Sequence, residues 1–127
     1  MPRKAIAHDF VLEALHSLQP RTRPMFGCTA VYVGEKIVAI LRDGRTPPSD
    51  DGMWLATDEA YHDSLRAELP HMRSIGLFGD RVSGWQVLPS DAPDFEEAAL
   101  RACEMIVARD PRIGRIPKAR RSKKRAK

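Results

Sequence analysis

Residues 28–42 read CTAVYVGEKIVAILR and have the pattern of a β-hairpin. Two runs rich in β-branched residues, Cys28–Val33 and Lys36–Arg42, are separated only by Gly34 and Glu35. Glycine supplies the positive φ that a tight hairpin turn requires. The sequence therefore predicts two antiparallel strands joined by a two-residue turn.

The residues on either side of this hairpin predict a helix, a linker and a loop. Apolar residues at helical spacing indicate a helix over Ala5–Leu18, ended by the following proline. Residues 21–24 predict a short linker between that helix and the hairpin. Turn-forming residues from 43 to 52 predict a surface loop, with Asp50 and Asp51 at its hydrated tip.

The remaining elements complete an α+β pattern. We predict a third strand over Met53–Ala56, a helix over Glu59–Leu69, a second hairpin from Ser74–Phe78 and Val82–Leu88, and a final helix capped by Asp91 and ended at Asp110-Pro111. This order favours two layers: a roughly five-stranded antiparallel sheet with helices packed mainly on one face. We assign this α+β domain to residues 1–111.

Charge divides the chain into a body and a tail. The formal net charge of the 127 residues is +4, with 43% hydrophobic and 30% charged residues. Residues 1–111 hold twelve basic and seventeen acidic side chains, whereas residues 112–127 hold nine basic and none acidic. Since the end of the chain has too few apolar residues to offset its ordering entropy, we expect a disordered basic tail over 112–127.

The tail predicts an anionic partner. Its candidate contacts are Lys118, Arg120, Arg121, Lys123, Lys124, Arg125 and Lys127. Dense flexible positive charge binds phosphate polymers through counterion release, so nucleic acid is the first choice and another anionic partner the second. Because the tail contains no aromatic residue, base stacking is not expected and the contact would be sequence-nonspecific. A simple solubility role is the alternative.

No catalytic, metal-binding or cofactor-binding residue stands out. The four histidines lack metal-ligand spacing, and His62 reads as a surface partner of Asp58 on a helix. Glycine-rich phosphate loops are absent from the sequence, and Cys28 and Cys103 read as reduced thiols. We therefore expect a protein that is not an enzyme and needs no cofactor. The alternative is a small-molecule-binding module or small enzyme with a pocket between sheet and helices, using residues such as Cys28, Tyr32, Trp54 or His62.

The sequence favours a cytoplasmic protein without membrane contact. Its first residues lack the apolar segment of an export signal, and its longest apolar runs are too short to span a bilayer. An exposed sheet edge or face could pair with a protein partner or with a second copy of the chain, so a homodimer is also considered.

The segment entering the hairpin, Arg23-Pro24-Met25-Phe26-Gly27-Cys28, resembles the TfoX N-terminal domain family. The resemblance rests on Arg23, Met25, Phe26 and Gly27, and later segments around Trp54 and Trp85 fit the family's strand order. It departs at Cys28, where the family has a second glycine. It implies a bacterial, cytoplasmic α+β domain linked to transcriptional control of competence, without assigned catalytic residues. We expect the motif to be structural, with Phe26 sealing the junction and Gly27 letting the chain turn.

Overall fold

The computed structural model describes residues 6–25, 27–45, 50–76 and 84–116 of the chain. These residues form six strands, β1 (Arg21–Met25), β2 (Cys28–Val33), β3 (Lys36–Arg42), β4 (Gly52–Ala56), β5 (Arg73–Ser74) and β6 (Trp85–Pro89), and three helices, α1 (Phe10–Ala14), α2 (His62–Glu68) and α3 (Phe95–Val107). Two 3₁₀ turns, His16–Leu18 and Glu59–Tyr61, follow α1 and precede α2. The predicted α+β class is confirmed, with one strand more than expected.

The strands form one antiparallel sheet in the order β1-β2-β3-β4-β6-β5. The first predicted hairpin is confirmed with its bounds, since Val33 pairs with Lys36 across the two-residue turn. A register shift between Val31 and Tyr32 marks a bulge in this hairpin. The third strand is confirmed and begins one residue earlier, at Gly52.

The predicted linker at residues 21–24 is wrong, because these residues belong to β1. This strand pairs with β2 from Arg21 opposite Tyr32 to Met25 opposite Cys28. Pro24 lacks an N–H group, which is tolerated here because β1 is an edge strand with hydrogen-bonded neighbours on one side only. Because this segment contains alternating arginines and a proline and has no apolar run, its sequence did not indicate a strand.

The first helix is shorter than the predicted Ala5–Leu18. Its regular part spans Phe10–Ala14 and then tightens into the 3₁₀ turn. His8 and Gln19 adopt positive φ of 54° and 53°, which ends helical geometry on both sides. Ala5, the first residue of the predicted helix, lies outside the described residues.

The second hairpin is confirmed in its antiparallel pairing, which joins β5 to β6. Arg73 pairs with Val87 and Ser74 with Gln86. The predicted turn at Gly79-Asp80 lies outside the described residues. The final helix is also confirmed, but its N-cap position is occupied by Asp94 and not by Asp91.

All three helices pack on one face of the sheet, as expected for a two-layer domain. One apolar core joins Val11 and Leu15 of the first helical segment, Leu65 of α2 and the buried side of α3 to the sheet. The sheet contributes Val31, Ala39, Leu41, Met53, Leu55 and Leu88 to this core. Alternation along each strand places their neighbours on the opposite face.

The opposite face carries a second apolar cluster bordered by buried charges. The cluster contains Ala30, Tyr32, Ile37, Ile40, Trp54, Ala56, Ile75 and Val87. At its border Arg42 donates to Asp51 at 3.1 Å, and Arg73 donates to Asp50 at 3.3 Å. Asp50 also accepts hydrogen bonds from the Gly76 N–H at 2.9 Å. The prediction of Asp50 and Asp51 as a hydrated loop tip is therefore wrong, because both carboxylates are buried.

The folded region extends past the predicted boundary at residue 111. Ile113 is 4% exposed and belongs to the core beneath the helices. The Gly114 N–H donates to the Ala56 carbonyl oxygen at 2.7 Å, at the end of β4. Residues 112–116, assigned from the sequence to a disordered tail, thus pack on the domain.

Candidate nucleic-acid interface

The predicted basic contacts from Lys118 to Lys127 lie outside the described residues, but the structure fixes the point where their segment begins. Arg115 forms an antiparallel bridge with Ile37 at the start of β3. The Ile37 N–H donates to the Arg115 carbonyl oxygen at 2.9 Å, and the Arg115 N–H donates back at 3.0 Å. The chain therefore enters its basic segment from a fixed position beside the β2–β3 turn. We call residues 110–116 the root of the basic segment.

Ion pairs hold the root against α2. Arg112 Nη2 donates to Glu68 Oε2 and to Asp110 Oδ2, both at 2.7 Å. Hydrogen bonds from Arg112 and then from Arg101 lower the pKa of Glu68, and Arg112 lowers the pKa of Asp110. Arg112, one of the nine basic residues predicted in the tail, is thus already paired within the domain.

Edge strand β1 adds positive charge at the same end of the sheet. Arg21 and Arg23 are exposed, and they lie opposite Tyr32 and Ala30 of β2, which both belong to the second apolar cluster. Arg21 Nη2 donates to the Gly34 carbonyl oxygen at 2.8 Å, and its guanidinium lies 5.7 Å from the centre of the Tyr32 ring. Since Gly34 and Ile37 flank the same turn, Arg21 lies at the end of the sheet where the root is attached. Arg115 lies at this same end, two strands away from β1, and its guanidinium donates to the Thr57 carbonyl oxygen at 3.3 Å. We call Arg21, Arg23 and Arg115 together the basic corner.

The motif residues of the TfoX-like segment have different surroundings. Arg23 is exposed on β1, whereas Met25 is partly buried against the second apolar cluster. Phe26 lies outside the described residues. Gly27 has φ of +79°, and a Cβ atom built there would lie 2.6 Å from Arg45 Cζ. The positions of Met25 and Gly27 support the structural role expected of them.

The titratable groups with catalytic potential are dispersed. His62 is buried, and desolvation followed by the charge of Arg66 lowers its pKa, so its prediction as a surface residue is wrong. Burial raises the pKa of Cys103 to about 12, which keeps that thiol protonated and unreactive near neutral pH. Cys28 is half-buried on β2, and neither cysteine forms a disulfide. His71 pairs with Asp94 at 2.9 Å on the surface.

Metal-binding clusters and membrane-spanning helices are the remaining candidate features in the described part of the chain. Among residues 6–25, 27–45, 50–76 and 84–116, no group of three or more His, Cys, Asp or Glu side chains is placed to hold a metal ion. Within the same ranges, each helix is too short or too polar to cross a membrane.

Tyr32 and Trp54, the two aromatic residues expected in the alternative pocket, belong to the second apolar cluster, and Trp85 packs against it. The Trp54 and Trp85 rings lie 5.9 Å apart, and Trp54 Nε1 donates to the Asp50 carbonyl oxygen at 2.8 Å. Arg42 lies 5.7 Å from the Trp54 ring. Trp54 therefore contacts both the backbone of Asp50 and the guanidinium of Arg42 on the sheet face opposite the helices. Arg42 is the last residue of the apolar strand β3. Its position directly after an apolar run is the signal in the sequence that could have suggested a buried charge at the second apolar cluster.

Comparison of the chain with protein-family models, curated proteins and solved structures found no match. The resemblance to the TfoX N-terminal family therefore stays a prediction from the motif around Gly27.

Proposed function

We propose that this protein is a non-enzymatic interaction domain of the TfoX N-terminal type that presents a basic C-terminal arm to nucleic acid. The observation that carries the proposal is the root: the two Ile37–Arg115 hydrogen bonds and the Arg112 ion pairs fix the base of the arm beside the basic corner. Because the base of the arm is fixed, the arm would approach nucleic acid from the same side of the domain in each encounter.

The charge distribution supports an arm that acts on its own. Residues 1–116 hold fourteen basic and seventeen acidic side chains, whereas residues 117–127 hold seven basic and none acidic. A body with a net negative charge repels a phosphate backbone, so attraction has to come from the arm and from local positive charge near its base. Arg21 and Arg23 supply such charge at the basic corner.

The chemistry favours the phosphate backbone over the bases. Lys and Arg side chains neutralise phosphates and release counterions, which yields affinity without sequence readout. The proposed role in transcriptional control is therefore to keep a regulatory domain close to nucleic acid, with specificity supplied by a protein partner.

The test measures binding of a fluorescein-labelled duplex by anisotropy over a range of salt concentrations. The full chain is compared with a variant of equal length in which the seven Lys and Arg residues after Pro117 are replaced by Gln. If four of the seven cations contact phosphates, the log–log salt slope is about −3.6, which is about a 150-fold loss of affinity between about 50 and 200 mM salt. The Gln variant should lose this dependence.

Two paired variants test the basic corner. Arg21→Gln with Arg23→Gln removes two exposed arginines at the end of the sheet where the root is attached, and Arg45→Gln with Arg66→Gln removes two arginines outside the ion pairs of the root. The first pair should flatten the salt slope by up to about 1.8, and the second should leave it unchanged. Equal affinity and slope for the full chain and the tail variant would overturn the proposal. Displacement of the duplex by polyglutamate as readily as by unlabelled DNA would point to an acidic protein instead.

A further inference from the structure

A cavity of about 350 Å³ lies between the C-terminal end of α3, the β2–β3 hairpin and the root. Its apolar wall is formed by Leu18, Val33, Val38, Ile106, Ile113 and Ile116. Its mouth carries the charged side chains of Glu35, Lys36, Arg109 and Asp110. An apolar wall with a few polar groups at one end, in this range of volume, is the usual form of a site for a small organic ligand.

Arg109 stands at this mouth in an unusual backbone conformation. Its φ is +63°, in the left-handed region that side chains other than glycine rarely adopt. The Arg109 N–H donates to the Ile106 carbonyl oxygen and the Asp110 N–H to that of Met105, both at 2.9 Å, which is the Schellman arrangement that ends a helix. Glycine is the usual residue at this position. A strained position that carries an arginine at the mouth of a cavity points to a function for the guanidinium.

The charges at the mouth leave two cations available. Asp110 is occupied by Arg112, which donates to it from its backbone N–H at 3.0 Å, from Nε at 2.9 Å and from Nη2 at 2.7 Å. The side chains of Lys36 and Arg109 have no hydrogen-bond or ion-pair partner among the described residues. Glu35, at the tip of the turn, opposes only one of these two charges. The mouth therefore favours an anionic group.

We propose that this cavity binds a small amphipathic carboxylate, with its apolar chain against Val38, Ile106 and Ile113 and its carboxylate held by Arg109 and Lys36. Arg109 suits this role because its planar guanidinium can donate two parallel hydrogen bonds to a carboxylate. This ligand site is separate from the duplex contact of the arm, although Ile116 lines the cavity just before the arm begins. The cavity residues come from three segments, so an occupied cavity also links the root to the hairpin.

The test titrates the ¹⁵N-labelled full chain with sodium octanoate and follows amide chemical shifts. We expect shifts at Val33, Ile106 and Ile113, saturating at a concentration on the order of 1 mM or below. Octanol and octylammonium, which share the apolar chain but lack the carboxylate, should bind at least about tenfold more weakly, a difference of one charge-assisted contact. A second groove lies between α1 and α3 and is lined by Ala14, Leu100 and Val107. Saturating shifts confined to Leu100 and Val107 would place octanoate in that groove and overturn the proposal.

Three substitutions at one position separate charge from backbone strain. Arg109→Lys keeps the positive charge but loses the paired hydrogen bonds, so it should weaken octanoate binding about threefold, whereas Arg109→Gln also loses the charge and should weaken it about tenfold. Arg109→Gly removes the charge and relieves the strained φ, so it should raise the melting temperature while weakening octanoate binding to the same extent. Unchanged affinity in the Gln and Gly variants, or failure of octanoate to bind the unmodified chain, would show that Arg109 has only a helix-ending role.

Discussion

Gly52 at the start of β4 should be far more sensitive to substitution than Gly34 in the first hairpin turn. Both glycines have positive φ, +142° at Gly52 and +62° at Gly34. A Cβ atom at Gly34 would meet nothing within 4 Å, whereas one at Gly52 would overlap the Leu88 carbonyl oxygen and lie 2.8 Å from the Ser90 nitrogen. The two positions therefore separate the conformational cost of a side chain from its steric cost.

The expected losses follow from these surroundings. Gly34→Ala meets only the left-handed penalty, which should lower the free energy of unfolding by about 1 kcal/mol. Gly52→Ala adds a clash with the backbone of β6, and since Gly52 pairs with both Arg42 and Pro89, the sheet cannot shift on one side without disturbing the other. We expect a loss of about 4 kcal/mol or more, a large part of the 5 to 15 kcal/mol typical of a domain.

Urea unfolding followed by the fluorescence of Trp54 and Trp85 provides the measurement, because both rings lie at the second apolar cluster beside these strands. Gly34→Ala is the matched control, since it makes the same chemical change at another positive-φ glycine. Should Gly52→Ala fail to give a folded sample while Gly34→Ala folds, the ranking holds. A Gly52→Ala protein as stable as the Gly34→Ala protein would refute the close approach between β4 and β6.

Two further predictions concern the root and the buried histidine. Ile113→Ala should lower the free energy of unfolding by about 2 to 4 kcal/mol, because Ile113 is buried. Ile116 is 43% exposed, so Ile116→Ala should lower it by no more than about 0.5 kcal/mol. Equal effects of the two substitutions in urea unfolding would contradict the packing of the root. Because the folded state lowers the pKa of His62, the unfolded chain takes up its proton first as the pH falls below about 6.5, and stability decreases there. Melting temperatures between about pH 7.5 and 5 should fall less steeply for His62→Gln than for the unmodified protein, and parallel curves would exclude this contribution.

The sequence predicted the elements whose signals are local. The β-branched runs and Gly34 predict the first hairpin, and the spacing of Ala98, Ala102 and Ile106 predicts α3. Pairing between β5 and β6 was also recoverable from the sequence. The first hairpin and α3 bury apolar side chains at regular intervals, so the hydrophobic periodicity indicates them.

The features that were missed depend on contacts between distant segments. β1 is exposed and polar, and it is a strand because β2 offers it a partner, which no local pattern reveals. Asp50 and Asp51 looked like loop residues, yet each lies buried against an arginine of a separate strand. Ile113 gave too weak a signal to extend the domain past residue 111, because one isoleucine among basic residues has no periodicity.

The ion pairs of the root bear on the proposal of a basic arm attached to a domain with a net negative charge. Glu68 and Asp110, the two acids that contact the segment leading into the arm, are already paired with Arg112, and Glu68 also with Arg101. These pairs neutralise the carboxylates of Glu68 and Asp110, while Arg21 and Arg115 add positive charge at the same end of the sheet. Since screening limits unpaired surface charges to a range of about 10 Å, the acids elsewhere on the body have little influence at the base of the arm. The ion pairs of Arg112 thus neutralise two carboxylates at the point where the proposed arm begins, and this favours the proposal that the arm's cations bind a phosphate backbone.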